Sequence, residues 1–218
     1  MASRRGANSD DDNDAGAPPD RDELRAAALS YLARYASTQA ALTRVLDKRI
    51  DTWARKAGSR YEIGEQDRAT VTAAVAAAKA VAREVVAGMA TAGAVDDVAF
   101  AEMRASSLRR AGRSQRGVAA ALAAKGIDPD TARNVLANEA VGGPTAELTA
   151  AVRLARKRRI GPFRTGKAPD LPARMKELAI LARAGFAQPV ARRALEMDRA
   201  EAEDLLPAPP DQPVVADD

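Results

Sequence analysis

A recurring helix–glycine–helix corner constrains the fold of this 218-residue chain more than any other sequence feature. Each corner consists of an apolar residue, a glycine four positions later and a second apolar residue directly after the glycine. It occurs at Gly93, Gly126 and Gly185. Glycine ends helices in this way because it adopts the left-handed conformation without a steric penalty. We therefore predict an all-α protein built from related helical modules.

The most complete module surrounds Gly126 and contains the start and stop signals of three helices. Asp96–Asp97 is typical of a first helical turn, where free N–H groups favour carboxylates. Ser114 is predicted to cap the second helix, and Gly126 to end it. Asp128–Pro129 then predicts a third helix, since it combines a side-chain cap with proline at the first helical position.

The same pattern divides the whole chain into modules and tails. Aromatic residues make up only 3% of the sequence, so each module must build its core largely from Ala, Val and Leu. Low hydrophobicity and an excess of Asp, Gly and Pro predict disorder at both ends. We expect a disordered acidic tail at 1–21, three-helix modules at 22–93, 94–141 and 144–206, and a second disordered tail at 207–218.

Apolar stripes and polar starts give more detailed predictions inside the modules. Trp53 lies on the apolar stripe of the second helix and is predicted to close the core of the first module. The alternative is that it forms a stacking platform for a nucleic-acid base. Asp67 is predicted to cap the third helix, and Met103 to lie on the buried stripe of the fourth.

Missing residue types exclude several classes of function. The sequence contains no Cys and no His, which removes thiolate ligands, the usual general base and the commonest metal ligand. We therefore expect no enzymatic activity, no cofactor and no metal. The stretch from Gly161 to Lys167 matches a phosphate-binding loop, but Ala168 replaces its hydroxyl residue and a basic helix precedes it, so we predict no nucleotide site. No apolar run could span a bilayer, and we expect a cytoplasmic protein.

Two basic clusters are the only concentrated chemistry in the chain. Positive charge displayed on helices and turns suits a phosphodiester backbone or an acidic protein groove. The alternative is that the clusters are solvated helix faces paired with nearby carboxylates. The candidate binding residues are Arg109, Arg110, Arg113 and Arg116 in the first cluster and Arg153, Arg156, Lys157, Arg158, Arg159, Arg164 and Lys167 in the second.

Residues 22–200 resemble the RecX family of regulatory proteins, which modulate the recombinase RecA. The resemblance rests on four short motifs, one in the first helix and three in the central module. These are Tyr31-Leu32-Ala33-Arg34, Val95-Asp96-Asp97-x-x-Phe100-Ala101, Arg109-Arg110-x-Gly112 and Leu122-x-x-Lys125-Gly126-Ile127.

The resemblance implies an elongated, curved array of three helix-turn-helix-like modules that lies in the groove of the RecA–DNA filament. There it would modulate the recombinase and ATPase activity of RecA, and the favoured effect is inhibition, either by blocking strand exchange and ATP hydrolysis or by promoting filament disassembly. Such regulation would affect homologous recombination, DNA repair and the SOS response. We accordingly expect a monomer whose partners are RecA, the RecA–single-stranded-DNA filament and DNA itself, with the basic clusters making the contacts. The alternative is a helix-turn-helix DNA-binding protein that acts without RecA.

Overall fold

All regular secondary structure in the described part of the protein is helical, which confirms the predicted fold class. The computed structural model describes residues 16–59, 65–139, 143–166 and 170–206, and these ranges contain ten α-helices and a short 3₁₀ helix. The chain divides into two compact units, residues 1–100 (unit 1) and residues 101–218 (unit 2). The division into three modules stays a prediction. Of the predicted tails, residues 1–15 and 207–218 lie outside the described residues.

Unit 1 is formed by three helices and the start of a fourth. They are α1 (Arg21–Leu32), α2 (Gln39–Gly58), α3 (Glu65–Thr91) and α4 (Asp97–Arg110), which continues into unit 2. The long helix α3 packs against both α1 and α2. The partly buried side chain of Tyr31 packs against the core, whose buried residues are Leu24, Ala28, Leu42, Leu46, Ile50, Ala78, Ala82, Val85, Val86, Met89 and Val95.

The two aspartates that open α4 serve two different helices. Asp96 accepts hydrogen bonds from the backbone N–H groups of Val98 and Ala99, both at 2.9 Å, and so caps α4 as predicted. Asp97 instead accepts the N–H of Gln39 at 2.8 Å, at the start of α2. Because the first N–H groups of a helix have no intrahelical partner, Asp97 stabilises a helix far from it in sequence.

Three of the detailed predictions are wrong. Helix α3 begins at Glu65, so Asp67 lies inside its first turn and is not its cap. Met103 is 55% exposed, because Ala101 and Ala105 form the buried side of α4. Trp53 lies outside the buried core, which takes Leu42, Leu46 and Ile50 from α2; its indole N–H donates to the carbonyl of Gly16.

Unit 2 continues from α4 through six further helices and the 3₁₀ helix. They are α5 (Gln115–Ala124), α6 (Pro129–Glu139), α7 (Gly143–Arg158), the 3₁₀ helix (Gly161–Phe163), α8 (Leu171–Arg183), α9 (Gln188–Glu196) and α10 (Arg199–Asp204). Ser114, Gly126 and Asp128 have their predicted roles: two are side-chain caps, and Gly126 has φ of +78°. Val118, Leu122, Val135 and Leu136 are buried.

The second half of unit 2 has its own core and one helix that the sequence did not indicate. Helices α7 and α8 pack against α9, and the 3₁₀ helix contacts α7, α9 and α10. Helix α10 was missed because it spans only six residues and buries only Ala202, so it has no periodic stripe. The core residues are Ala150, Ala151, Val152, Ala155, Ile160, Phe163, Leu181, Phe186, Ala191, Ala194, Met197, Ala202 and Leu206.

Candidate anion-binding groove

The corner between α4 and α5 is bound to α7 and α8 by contacts that we call the seam. The first is made by Ser114, whose side chain is fully buried. Its Oγ accepts the N–H of Gly117 at 2.9 Å and donates to the carbonyl of Ala184 at 2.6 Å. One hydroxyl therefore caps the start of α5 and satisfies a carbonyl at the end of α8.

Close backbone contact and a shared carboxylate complete the seam. Gly112 has φ of +81°, and a Cβ atom there would lie 2.9 Å from the backbone N of Leu154. Glu147 on α7 accepts the N–H of Gln115 at 3.1 Å and pairs with the guanidinium of Arg109 at 2.5 Å. Glu147 thus supports the start of α5, as Asp97 supports the start of α2.

A groove of about 570 Å³ lies beside the seam, between the end of α4, the end of α7 and the end of α8. We call it the basic groove. Its floor includes the half-buried apolar side chains of Leu108, Leu154 and Ile180. Its charged residues are all cations, namely Arg113, Lys157, Arg158 and Arg183.

Those four cations come from three places in the sequence. Arg113 stands at the α4–α5 corner, Lys157 and Arg158 in the last turn of α7, and Arg183 at the end of α8. None of them forms an ion pair with a carboxylate in the described ranges. Uncompensated like charges around a concave surface focus the electrostatic potential, so the groove favours anionic ligands.

A second concavity adjoins the basic groove and shares Arg113, Arg183 and Ala184 with it. It adds Arg116 at the start of α5, and Glu147 is its only acidic lining residue. Because Glu147 already pairs with Arg109, the adjoining surface is positive as well. The positive surface therefore continues from the α7 end of the basic groove to α5.

Two of the predicted binding residues have carboxylate partners on other helices. The side chain of Arg109 is only 12% exposed in its pair with Glu147. The guanidinium of Arg164 is 23% exposed and makes two hydrogen bonds to Glu177 on α8, with its Nε at 3.0 Å from Oε1. The Arg164–Glu177 pair is bidentate, and both pairs are partly buried, which favours a role in holding the fold.

Five of the other predicted residues are not part of the groove as the structure describes it. Arg110, Arg156 and Arg159 are exposed, Arg153 is half-buried, and none of the four lines the groove. Lys167 lies outside the described residues. The sequence analysis did not predict Arg183 as a binding residue, because it is an isolated cation. Its position two residues before the helix-ending Gly185 is the only sequence feature that places it near a helix corner.

Neither a metal-binding cluster nor a membrane-spanning helix is found among the described residues. No three acidic side chains in them are grouped closely enough to hold a metal ion. None of the helices in the described ranges is both long enough and apolar enough to cross a bilayer.

Comparison with known proteins gives matches in sequence. A family model described as RecX, second three-helix domain, matches residues 96–136, which include the α4–α5 corner of the seam. The regulatory protein RecX of Myxococcus xanthus (strain DK1622) is 36% identical over 177 residues, which cover 81% of this chain and 86% of that protein. The regulatory protein RecX of Agrobacterium fabrum (strain C58 / ATCC 33970) is 40% identical over 113 residues, 52% of this chain and 58% of that protein. No solved structure matches the chain significantly.

Proposed function

The chain belongs to the RecX family of regulatory proteins, and we propose that it regulates RecA by binding the RecA–DNA filament through the basic groove. The observation that carries this proposal is the convergence of Arg113, Lys157, Arg158 and Arg183 on one concave surface, where no described carboxylate pairs with them. The RecA–DNA filament is a polyanion, and its DNA supplies the closely spaced charges that such a surface attracts.

The proposed regulation is non-enzymatic and acts by occupancy. A protein bound along the filament obstructs the movements of DNA and of RecA subunits that strand exchange and ATP hydrolysis require. We propose inhibition of both activities, with consequences for homologous recombination, DNA repair and the SOS response in the cytoplasm. Several weak contacts along one filament add up to strong binding, because each contact raises the effective concentration of the next.

RecA-dependent strand exchange and single-stranded-DNA-dependent ATP hydrolysis test the proposal directly. Substoichiometric amounts of the full chain should slow both reactions, and the protein should sediment with RecA-coated DNA. An unchanged rate in both assays, together with no sedimentation, would contradict the proposal. Bare single-stranded and duplex DNA are the parallel controls.

The alternative function makes a different prediction in the same experiment. A helix-turn-helix protein that acts without RecA should bind bare duplex DNA tightly, with sequence preference and strong salt dependence. Its affinity should not increase when RecA coats the DNA. A higher affinity for the coated DNA than for the bare duplex supports the RecA-directed function.

A further inference from the structure

In the described ranges, five helices are followed by the same left-handed turn, and one of these turns has no glycine. The left-handed residue lies just beyond the last residue of helices α3, α4, α5 and α8 and is Gly93, Gly112, Gly126 and Gly185 respectively, with φ between +71° and +92°. After α7 the left-handed residue is Arg159, with φ of +55°. Among the described residues, Arg159 is the only non-glycine residue with a positive φ.

The hydrogen bonds of the α7 turn are those of the glycine turns. The N–H of Arg159 bonds to the carbonyl of Arg156, and the N–H of Ile160 to that of Ala155, each at 3.1 Å. This is the pairing that ends helices with a left-handed residue. A residue with a Cβ is less stable in that conformation than glycine, so the fold alone favours glycine at position 159.

The side chain of Arg159 has no bonding partner among the described residues. Arg159 is exposed, and its guanidinium forms no hydrogen bond or ion pair with a described residue. Arg156, Lys157 and Arg158 already occupy the last turn of α7, where cations stabilise the helix dipole. A fourth consecutive cation therefore adds repulsion without a partner inside the described structure.

Four consecutive exposed cations match a ligand whose negative charge repeats at short intervals. A nucleic-acid strand in B-form carries one charge about every 3.4 Å, whereas a folded protein surface mixes charges of both signs. We propose that the Arg159 side chain contacts a DNA phosphate, and that the chain keeps arginine at a turn where glycine would be more stable. This inference deepens the proposed function by assigning a DNA contact to the end of α7.

The test compares three full-length variants with the wild type in stability and in DNA binding. Arg159→Gly should be more stable than the wild type, with an unfolding equilibrium constant about two- to tenfold lower in urea denaturation. The reason is that the backbone strain relieved at the turn outweighs the conformational entropy that glycine adds to the unfolded chain. Arg159→Lys should match the wild type in stability. Gly93→Arg is the reverse control: a Cβ there meets no atom within 4 Å, so its expected loss of stability reports the cost of the left-handed conformation alone.

DNA binding is measured by the anisotropy of a labelled single-stranded oligonucleotide at several salt concentrations. Arg159→Gly should bind about two- to fivefold more weakly, with a salt slope about 0.7 smaller, as expected for one lost phosphate contact. Arg159→Lys should retain most of the affinity, because the charge remains. Gly93→Arg should not bind more weakly than the wild type.

Each result decides for or against the inference. Unchanged affinity and slope in Arg159→Gly would overturn it, as would a variant less stable than the wild type or a wild type that binds no oligonucleotide. The proposed function is judged separately, with RecA-coated DNA. If Arg159→Gly binds RecA-coated DNA as tightly as the wild type does, the inference fails and the proposed function stands. If RecA coating does not increase the affinity of the chain for DNA, but Arg159→Gly still binds the oligonucleotide more weakly, only the proposed function fails.

Discussion

Ser114→Ala is expected to weaken the seam more than the loss of a helix cap explains. Ser114 is fully buried, and its hydroxyl makes two hydrogen bonds, one inside α5 and one to the carbonyl of Ala184 at the end of α8. Alanine removes both. The first loss affects one helix, whereas the second breaks a contact between two parts of unit 2.

The two losses have separate magnitudes. Removing a serine cap costs about 1 kcal/mol. Leaving the carbonyl of Ala184 without its partner costs about 1 to 3 kcal/mol, and the lower part of that range applies because Ala184 lines both concavities and water can reach it. The free energy of unfolding should therefore fall by about 2 to 3 kcal/mol.

Asp170→Ala is the matched control in the same unit. Asp170 is exposed and caps α8 through one hydrogen bond to the N–H of Ala173, so its loss should cost only about 1 kcal/mol. Urea denaturation followed by circular dichroism gives both values. Hydrogen exchange should locate the added loss in Ser114→Ala at the start of α5 and at the end of α8. If Ser114→Ala costs no more than Asp170→Ala, the bond to Ala184 contributes nothing to the seam.

Three further predictions follow from single contacts. Gly185→Ala should destabilise the protein by about 2 to 5 kcal/mol, because the new Cβ would lie 2.5 Å from the Oγ of Ser114 at a φ of +92°. The control is Gly93→Ala, where a Cβ meets open space and the loss should be about 1 to 2 kcal/mol. Equal losses of stability in thermal denaturation would show that the seam is loosely packed. Asp97→Ala should destabilise unit 1 by about 1 kcal/mol, because the start of α2 loses its cap. The change should be visible in unfolding followed by the fluorescence of Trp53, the single tryptophan of the sequence. An unfolding transition identical to that of the wild type would contradict the long-range cap. The hydrogen bond to Asp51 raises the pKa of Lys79 above its ordinary value of 10.5, so the pair should stabilise unit 1 below pH 10.5 and lose its effect as the pH rises through the higher pKa of the folded state. Asp51→Asn should abolish this part of the pH dependence of the urea midpoint. A variant whose urea midpoint changes with alkaline pH as that of the wild type does would refute this prediction.

The sequence predicts the local features of this fold well because their causes are local. Caps and glycine corners depend on residues within one turn of each other, and Ser114, Gly126 and Asp128 all have their predicted conformations and bonds. The same reasoning fails for Trp53 and Met103. Whether an apolar side chain is buried depends on which neighbouring helix covers its face, and an Ala-rich sequence leaves that choice open.

Prediction of the candidate site from the sequence is limited in the same way. The sequence identifies clusters of charge but not their partners, so it groups Arg109 and Arg164 with unpaired cations, although Glu147 and Glu177 approach them from other helices. It also omits Arg183, which only packing brings beside the α4–α5 corner. The basic groove therefore had to be found from tertiary structure.

The central claim is that the basic groove binds the RecA–DNA filament, and charge reversal in the groove tests it most directly. The measurement is the affinity of the full chain for RecA filaments on single-stranded DNA, compared for the wild type, the double variant Arg113→Glu with Arg183→Glu, and Arg174→Glu. Arg174 is an exposed control on α8 that does not line the groove. The double variant should bind at least about tenfold more weakly, and Arg174→Glu should bind like the wild type. If the folded double variant binds filaments as tightly as the wild type does, the groove is not the binding surface.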